Sequence, residues 1–160
     1  MSYTREQIEA TVKDKGYKWF ENGDYNVNIV GIRNSETGDR VTNKFDDKIT
    51  ITYKEDGEWQ YHIFDCTTDP GDDWMDNPML KKGTAILVPG QYRGSHKLRL
   101  HQGRYLALGQ QKPVKVYRDR DKDGKYDFNP DTIDEGLFGI NIHRATKHAG
   151  KKSTYVDKWS

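Results

Sequence analysis

Lys48-Ile49-Thr50-Ile51-Thr52-Tyr53-Lys54-Glu55-Asp56-Gly57-Glu58-Trp59-Gln60-Tyr61-His62-Ile63-Phe64-Asp65 decides the fold class. Ile49, Ile51 and Tyr53 alternate with Lys48, Thr50 and Thr52, and Trp59, Tyr61 and Ile63 alternate in the returning half. Period-two alternation of β-branched and aromatic residues is the signature of a strand. Glu55-Asp56-Gly57 turns the chain between the two halves, so residues 48–65 read as a β-hairpin.

The same signal spreads outward. Upstream, Val27, Ile29 and Gly31 alternate with Asn28, Val30 and Ile32. Downstream, Thr67-Thr68-Asp69-Pro70-Gly71 is a turn cluster, and Thr84-Ala85-Ile86-Leu87-Val88 is a short buried strand stopped by Pro89-Gly90. Val114 and Val116, with Tyr117, form another strand, and Phe138–His143 a last one. Periodicity does not decide between strand and irregular structure over 98–109. Ahead of all this lies one helix. Thr4 and Gln7 have capping-box spacing, Tyr3 and Ile8 can form a hydrophobic staple, and Gly16 is a natural stop. Its apolar stripe is narrow, so residues 1–16 are expected as an appendage and 17–160 as one mostly-β domain.

Composition agrees. Of the 160 residues only 33% are apolar, yet 12% are aromatic and four are Trp. Disordered chains are poor in aromatics, so a small β domain with a polar surface is the better reading. The formal net charge of +1 carries no basic excess of the kind nucleic-acid binders show. No apolar run approaches the roughly 18 residues of a membrane span. Met1–Glu6 lacks the basic-then-apolar order of a signal peptide, so the chain is expected to be made in the cytoplasm. Cys66 is the one cysteine, which excludes an internal disulfide framework and a multi-cysteine zinc site.

Several stretches together resemble the L,D-transpeptidase (YkuD-type) catalytic domain, in its phage-type variant. They are Asn43–Asp47, Thr67–Gly71, Lys82–Gly94, Pro113–Asp119, Gly139-Ile140-Asn141-Ile142-His143-Arg144-Ala145 and Val156-Asp157-Lys158-Trp159-Ser160. The resemblance covers roughly residues 26–160. It implies a β-sandwich or open barrel and a cysteine acyltransferase or peptidase acting on peptidoglycan stem peptides. The family signature is a His, some 12 to 17 residues, then Ser or Thr, His, Gly and Cys; His143 and Ser160 fall in that window. His143 is then the general base and Ser160 shapes the turn or hydrogen-bonds the histidine. The nucleophilic Cys would follow Ser160, so the sequence reads as a fragment or as a truncated protein, inactive as it stands. Arg144 departs from the family, which commonly has Gly there.

The chemistry explains the layout. A cysteine attacks an amide as thiolate, for which an imidazole supplies base and counter-charge. Gly139 and Asn141 share a strand face with His143, so Asn141 is expected to orient the imidazole and Gly139 to leave space for substrate. Arg93 and Arg144 are the candidate cations for substrate carboxylates. Arg93 opens a basic segment with His96, Lys97, Arg99, His101 and Arg104, interleaved with Tyr92 and Tyr105; its bland reading is a solvated face. His96 and His101 differ in strand parity, which argues against a metal pair, and His148 sits in an exposed Gly/Lys-rich loop. Cys66 is no substitute nucleophile: His62 lies four residues away, about 13 Å along a strand, so a small buried structural thiol is expected. The alternative to an enzyme is a non-catalytic cell-wall-binding or virion structural module. Without a signal peptide, phage lysis machinery or the virion would carry the protein to the bacterial cell wall. Oligomeric state is open.

One further motif stands apart. Asp119, Asp121, Asp123 and Asp127 occupy positions 1, 3, 5 and 9 of a calcium-loop pattern, with Gly124 at position 6. Pro130 stands at position 12, where a bidentate Glu belongs, and no helices flank the loop. A solvated Asp/Gly-rich loop is the first reading and a weak, stabilising Ca²⁺ site the second; no other cofactor is expected.

Overall fold

The computed structural model describes residues 2–146, 148 and 150–157. It is mainly β with a short N-terminal helix. The elements are α1 (Arg5–Asp14), β1 (Asn28–Ile32), β2 (Asp47–Glu55), β3 (Glu58–Cys66), α2 (Asp72–Asp76), β4 (Thr84–Leu87), β5 (His96–His101), β6 (Tyr105–Gln110), β7 (Val114–Asp119), a 3₁₀ turn (Pro130–Thr132) and β8 (Asp134–Gly136). The strands form three small antiparallel sheets, ordered β1-β2-β3, β4-β7-β8 and β5-β6. The chain divides into two compact units, one of Met1–Asn34 with Asp46–Cys66, the other of Ser35–Phe45 with Thr67–Ser160. The division differs from the expected boundary at 16/17, because α1 shares a core with β1–β3.

In the first unit the local signals act as their chemistry dictates. Thr4 Oγ1 accepts from the Gln7 N–H, and the Gln7 side chain accepts from the Thr4 N–H, which closes the capping box. At the other end the Tyr17 N–H reaches the Val12 carbonyl and the Gly16 N–H the Lys13 carbonyl. Gly16 has φ +74, the left-handed conformation this C-terminal motif requires. The expected hairpin pairs Lys48 with Asp65 and Glu55 with Glu58. Asp56 and Gly57 both have positive φ, a type I′ turn whose N–H groups the Asp24 carboxylate accepts. Ile8, Val12 and Trp19 form the core, with Tyr3, Val30, Ile32, Trp59 and Tyr61 packed against it. The inward face of β2 carries Thr50 and Thr52, both 0% exposed, while Ile29 and Phe64 lie on the exposed side. Ile8 and Val12 of α1 with the aromatic rings of Trp19, Trp59 and Tyr61 fill the core, so β2 presents its small β-branched residues there.

The second unit holds β4-β7-β8 and the β5-β6 hairpin. Its core is Met75, Ile86 and Tyr126, with Val41, Tyr117 and Phe128 against it. Val114 and Val116 of β7 are fully buried, as their alternation predicts. The undecided stretch 98–109 is the hairpin, with His101 opposite Tyr105 across a tight turn in which Gln102 and Gly103 have positive φ. The last expected strand, 138–143, is not one. Only Ile142 bridges to Leu108; β8 lies earlier, at Asp134–Gly136. The reason is Gln110, 4% exposed, whose Oε1 accepts from the Phe138 and Ile140 N–H groups. Its Nε2 donates to the carbonyls of Lys112 and Gly136. A side-chain amide thus does for this segment what a neighbouring strand would have done.

Candidate functional site

His143 follows directly on the Ile142–Leu108 bridge, which delivers it to the turn end of the β5-β6 hairpin. Its imidazole is half-buried and stacks on that of His101, with centroids 4.3 Å apart and planes 12° from parallel. Nδ1 lies 2.9 Å from the Arg144 carbonyl oxygen. A carbonyl can only accept, so the proton of the neutral ring sits on Nδ1 and Nε2 is the basic nitrogen. Tyr105 donates its hydroxyl proton to the same carbonyl at 3.2 Å and lies 3.4 Å from Nδ1. The Arg144 guanidinium covers the Tyr105 ring at 4.0 Å. Burial first, then the neighbouring His143, hold His101 below its ordinary pKa, which favours a neutral ring beside the candidate base.

Sequence reasoning placed other groups here. Asn141 does not reach the imidazole: its Oδ1 accepts from the Gln110 N–H at 3.0 Å and from Arg99 Nη2 at 3.4 Å. It anchors the chain to β6 because residues 139–141 run outside any ladder, and strand-face parity does not apply to them. Gly139 is exposed with φ +71, and a Cβ there would meet nothing within 4 Å. Conformation, rather than room for substrate, is its reason to be glycine. Arg144 is brought to the cluster; Arg93 is exposed in the turn before β5. Ser160 lies outside the described residues. His101 and Tyr105 are partners of His143 that the sequence expectation lacks; the signal for them is their pairing across a short turn containing Gly103.

The other histidine of the hairpin is structural. His96 Nε2 donates to the Ile140 carbonyl at 2.6 Å, and Nδ1 lies 2.8 Å from Ser95 Oγ. Cys66 ends β3 in the first unit and is half-buried rather than buried, because β3 is an edge strand with only β2 beside it.

The aspartate motif closes into a cluster. Asp119, Asp121 and Asp127 bring ligand oxygens within 4.8 Å of one another. Asp123 is not among them; its Oδ1 accepts from the Lys125 N–H at 2.9 Å. Asp119 ends β7, where Oδ2 accepts from the Asp127 N–H at 2.7 Å. Burial pushes the Asp119 carboxyl up from its usual range, against the lowering effect of that N–H. Asp127 is pushed up to about 6, by burial first and then by the charges of Asp119 and Asp121. Like charges gathered this closely resist simultaneous ionisation. In comparisons with known proteins, no family model, no curated protein and no solved structure matches this chain.

Proposed function

We propose that His143 is the general base of an L,D-transpeptidase-like cysteine acyltransferase or peptidase acting on peptidoglycan stem peptides. One observation carries the reading: the Nδ1–H of His143 is committed to the Arg144 carbonyl, which leaves Nε2 as the basic atom of a half-buried ring. This is the tautomer that takes a proton from a thiol at Nε2. The thiolate attacks the amide carbon, and the tetrahedral oxyanion collapses to a thioester. The departing amine takes the proton back from Nε2, and an incoming amine or water then releases the acyl group. Arg144, next in sequence to His143 and lying over the Tyr105 ring, is a cation suited to the carboxylates of stem peptides.

The sulfur is the missing part. Cys66 is the one cysteine of these 160 residues, and it ends β3 as a half-buried strand residue that is not proposed as the nucleophile. That same observation favours a second reading, a non-catalytic cell-wall-binding module in which His143 is a packed structural residue.

The experiment appends His-Gly-Cys after Ser160 and incubates the protein with stem tetrapeptide, reading the acyl adduct by mass spectrometry. The first reading predicts an adduct in the extended chain that His143→Ala abolishes. Equal adduct with and without the imidazole, or none in either, rejects it. Binding of the unextended chain to sacculi, unchanged by His143→Ala, then supports the second.

A further inference from the structure

The Asp119–Asp127 loop carries an inference separate from the transfer chemistry and uses none of its residues. Asp119 is 1% exposed, and its Oδ1 has no hydrogen-bond partner among the described residues. A buried carboxylate with one oxygen unpaired is costly unless a charge of opposite sign meets it. The groups beside it are Asp121 and Asp127, which deepen the need rather than answer it. The basic residues of the loop, Arg120, Lys122 and Lys125, are exposed.

We propose that Asp119, Asp121 and Asp127 bind a single Ca²⁺ ion, with water completing its shell. The donors are all carboxylate oxygens, with no His or Cys in the group, which selects a hard cation over zinc. Ligand count favours calcium: Mg²⁺ keeps several of its waters and is held by one or two carboxylates, whereas Ca²⁺ takes most of its shell from protein oxygens, and three carboxylates gather here. Three carboxylates around a divalent ion leave one negative charge, which the three basic side chains of the loop offset from outside.

The ion would tie the end of β7 to the segment entering Phe128. That segment matters to the unit, because the adjacent Tyr126 sits in the core and donates its hydroxyl proton to the Pro70 carbonyl at 2.8 Å. Calcium therefore acts as a staple on the second unit, and binding to the folded state raises stability with ion concentration.

The test is thermal unfolding of the full chain in calcium chloride against sodium chloride of equal ionic strength. The expected result is a melting temperature that rises with the logarithm of Ca²⁺ concentration, a rise lost in Asp121→Asn, whose side chain is exposed and whose change leaves the core intact. A shift equal in wild type and Asp121→Asn, or no shift, overturns the proposal. An equal shift with Mg²⁺ overturns the assignment to calcium. Should Asp121→Asn itself unfold, amide chemical shifts of the wild-type chain decide. Saturable Ca²⁺-dependent movement confined to residues near 119–127 supports the site, and movement elsewhere or none rejects it.

Discussion

Both units bury oxygens that have no hydrogen-bond partner among the described residues, but of different kinds. In the first, the hydroxyls of Thr50 and Thr52 lie on the inward face of β2, where Thr50 sits opposite Val30 and Ile63 and Thr52 opposite Asn28 and Tyr61. In the second, a carboxylate oxygen of Asp119 is buried in this way. An unpaired hydroxyl costs about 1–3 kcal/mol and stays neutral at every relevant pH. An unpaired buried carboxylate costs far more and must find a proton or a cation. The first unit therefore carries a stability defect and the second a chemical demand. The second unit also stacks two imidazoles and aims one basic nitrogen away from its own backbone bond.

The contrast can be broken most forcefully at Gly83. Its φ is +101, and a Cβ there would stand 2.2 Å from the Asp119 carbonyl oxygen. Gly83→Ala therefore combines left-handed strain with a backbone clash and should cost on the order of 3 kcal/mol. Hydrogen exchange is expected to lose protection in β4 and β7 while β1–β3 keep theirs; equal loss in both units would remove the distinction between them. A smaller effect of opposite sign sharpens it. Thr52→Val keeps the β-branched shape and removes the orphan hydroxyl, so it should stabilise the first unit by about 1 kcal/mol in urea unfolding. Destabilisation would mean that the hydroxyl has a partner.

The smallest effect concerns α1. Lys13 foremost, with Arg5 adding to it against a contrary effect of burial, holds the Glu9 carboxyl below its ordinary 4.5. A depressed carboxyl pKa stabilises the fold fully above that ordinary value, and the contribution is lost as pH falls through the lower folded one. Glu9→Gln should thus lower the urea midpoint slightly at neutral pH and leave it unchanged in strong acid. A difference that grows on acidification contradicts this sign.

Legibility followed the range of the interactions. The capping box at Thr4, the stop at Gly16 and the hairpin turning at Asp56-Gly57 were all readable, because each is completed within a few residues. The Asp119–Asp127 spacing was readable for the same reason, although the exclusion of Asp123 was not, since its oxygen is taken by a local turn. The strand expected over 138–143 failed because nothing in its own residues announces Gln110, some thirty positions away, as its hydrogen-bond partner. Parity arguments for Gly139 and Asn141 failed with it. The partners of His143 were hidden likewise, since His101 and Tyr105 come from a hairpin whose periodicity was ambiguous.

From the order of residues alone came the mainly β character, the N-terminal helix and its two ends, the β2–β3 hairpin, and the set of aspartates and histidines worth watching. Period-two patterning, turn chemistry and capping act between near neighbours, so a one-dimensional string contains them. Only the folded chain decided that α1 shares the β1–β3 core, that threonines line the inward face of β2, that His143 meets His101 rather than Asn141, and that Asp119 is buried with an oxygen unpaired. Each of those is set by which distant segments compete for the same space and the same donors, and that competition exists only in three dimensions.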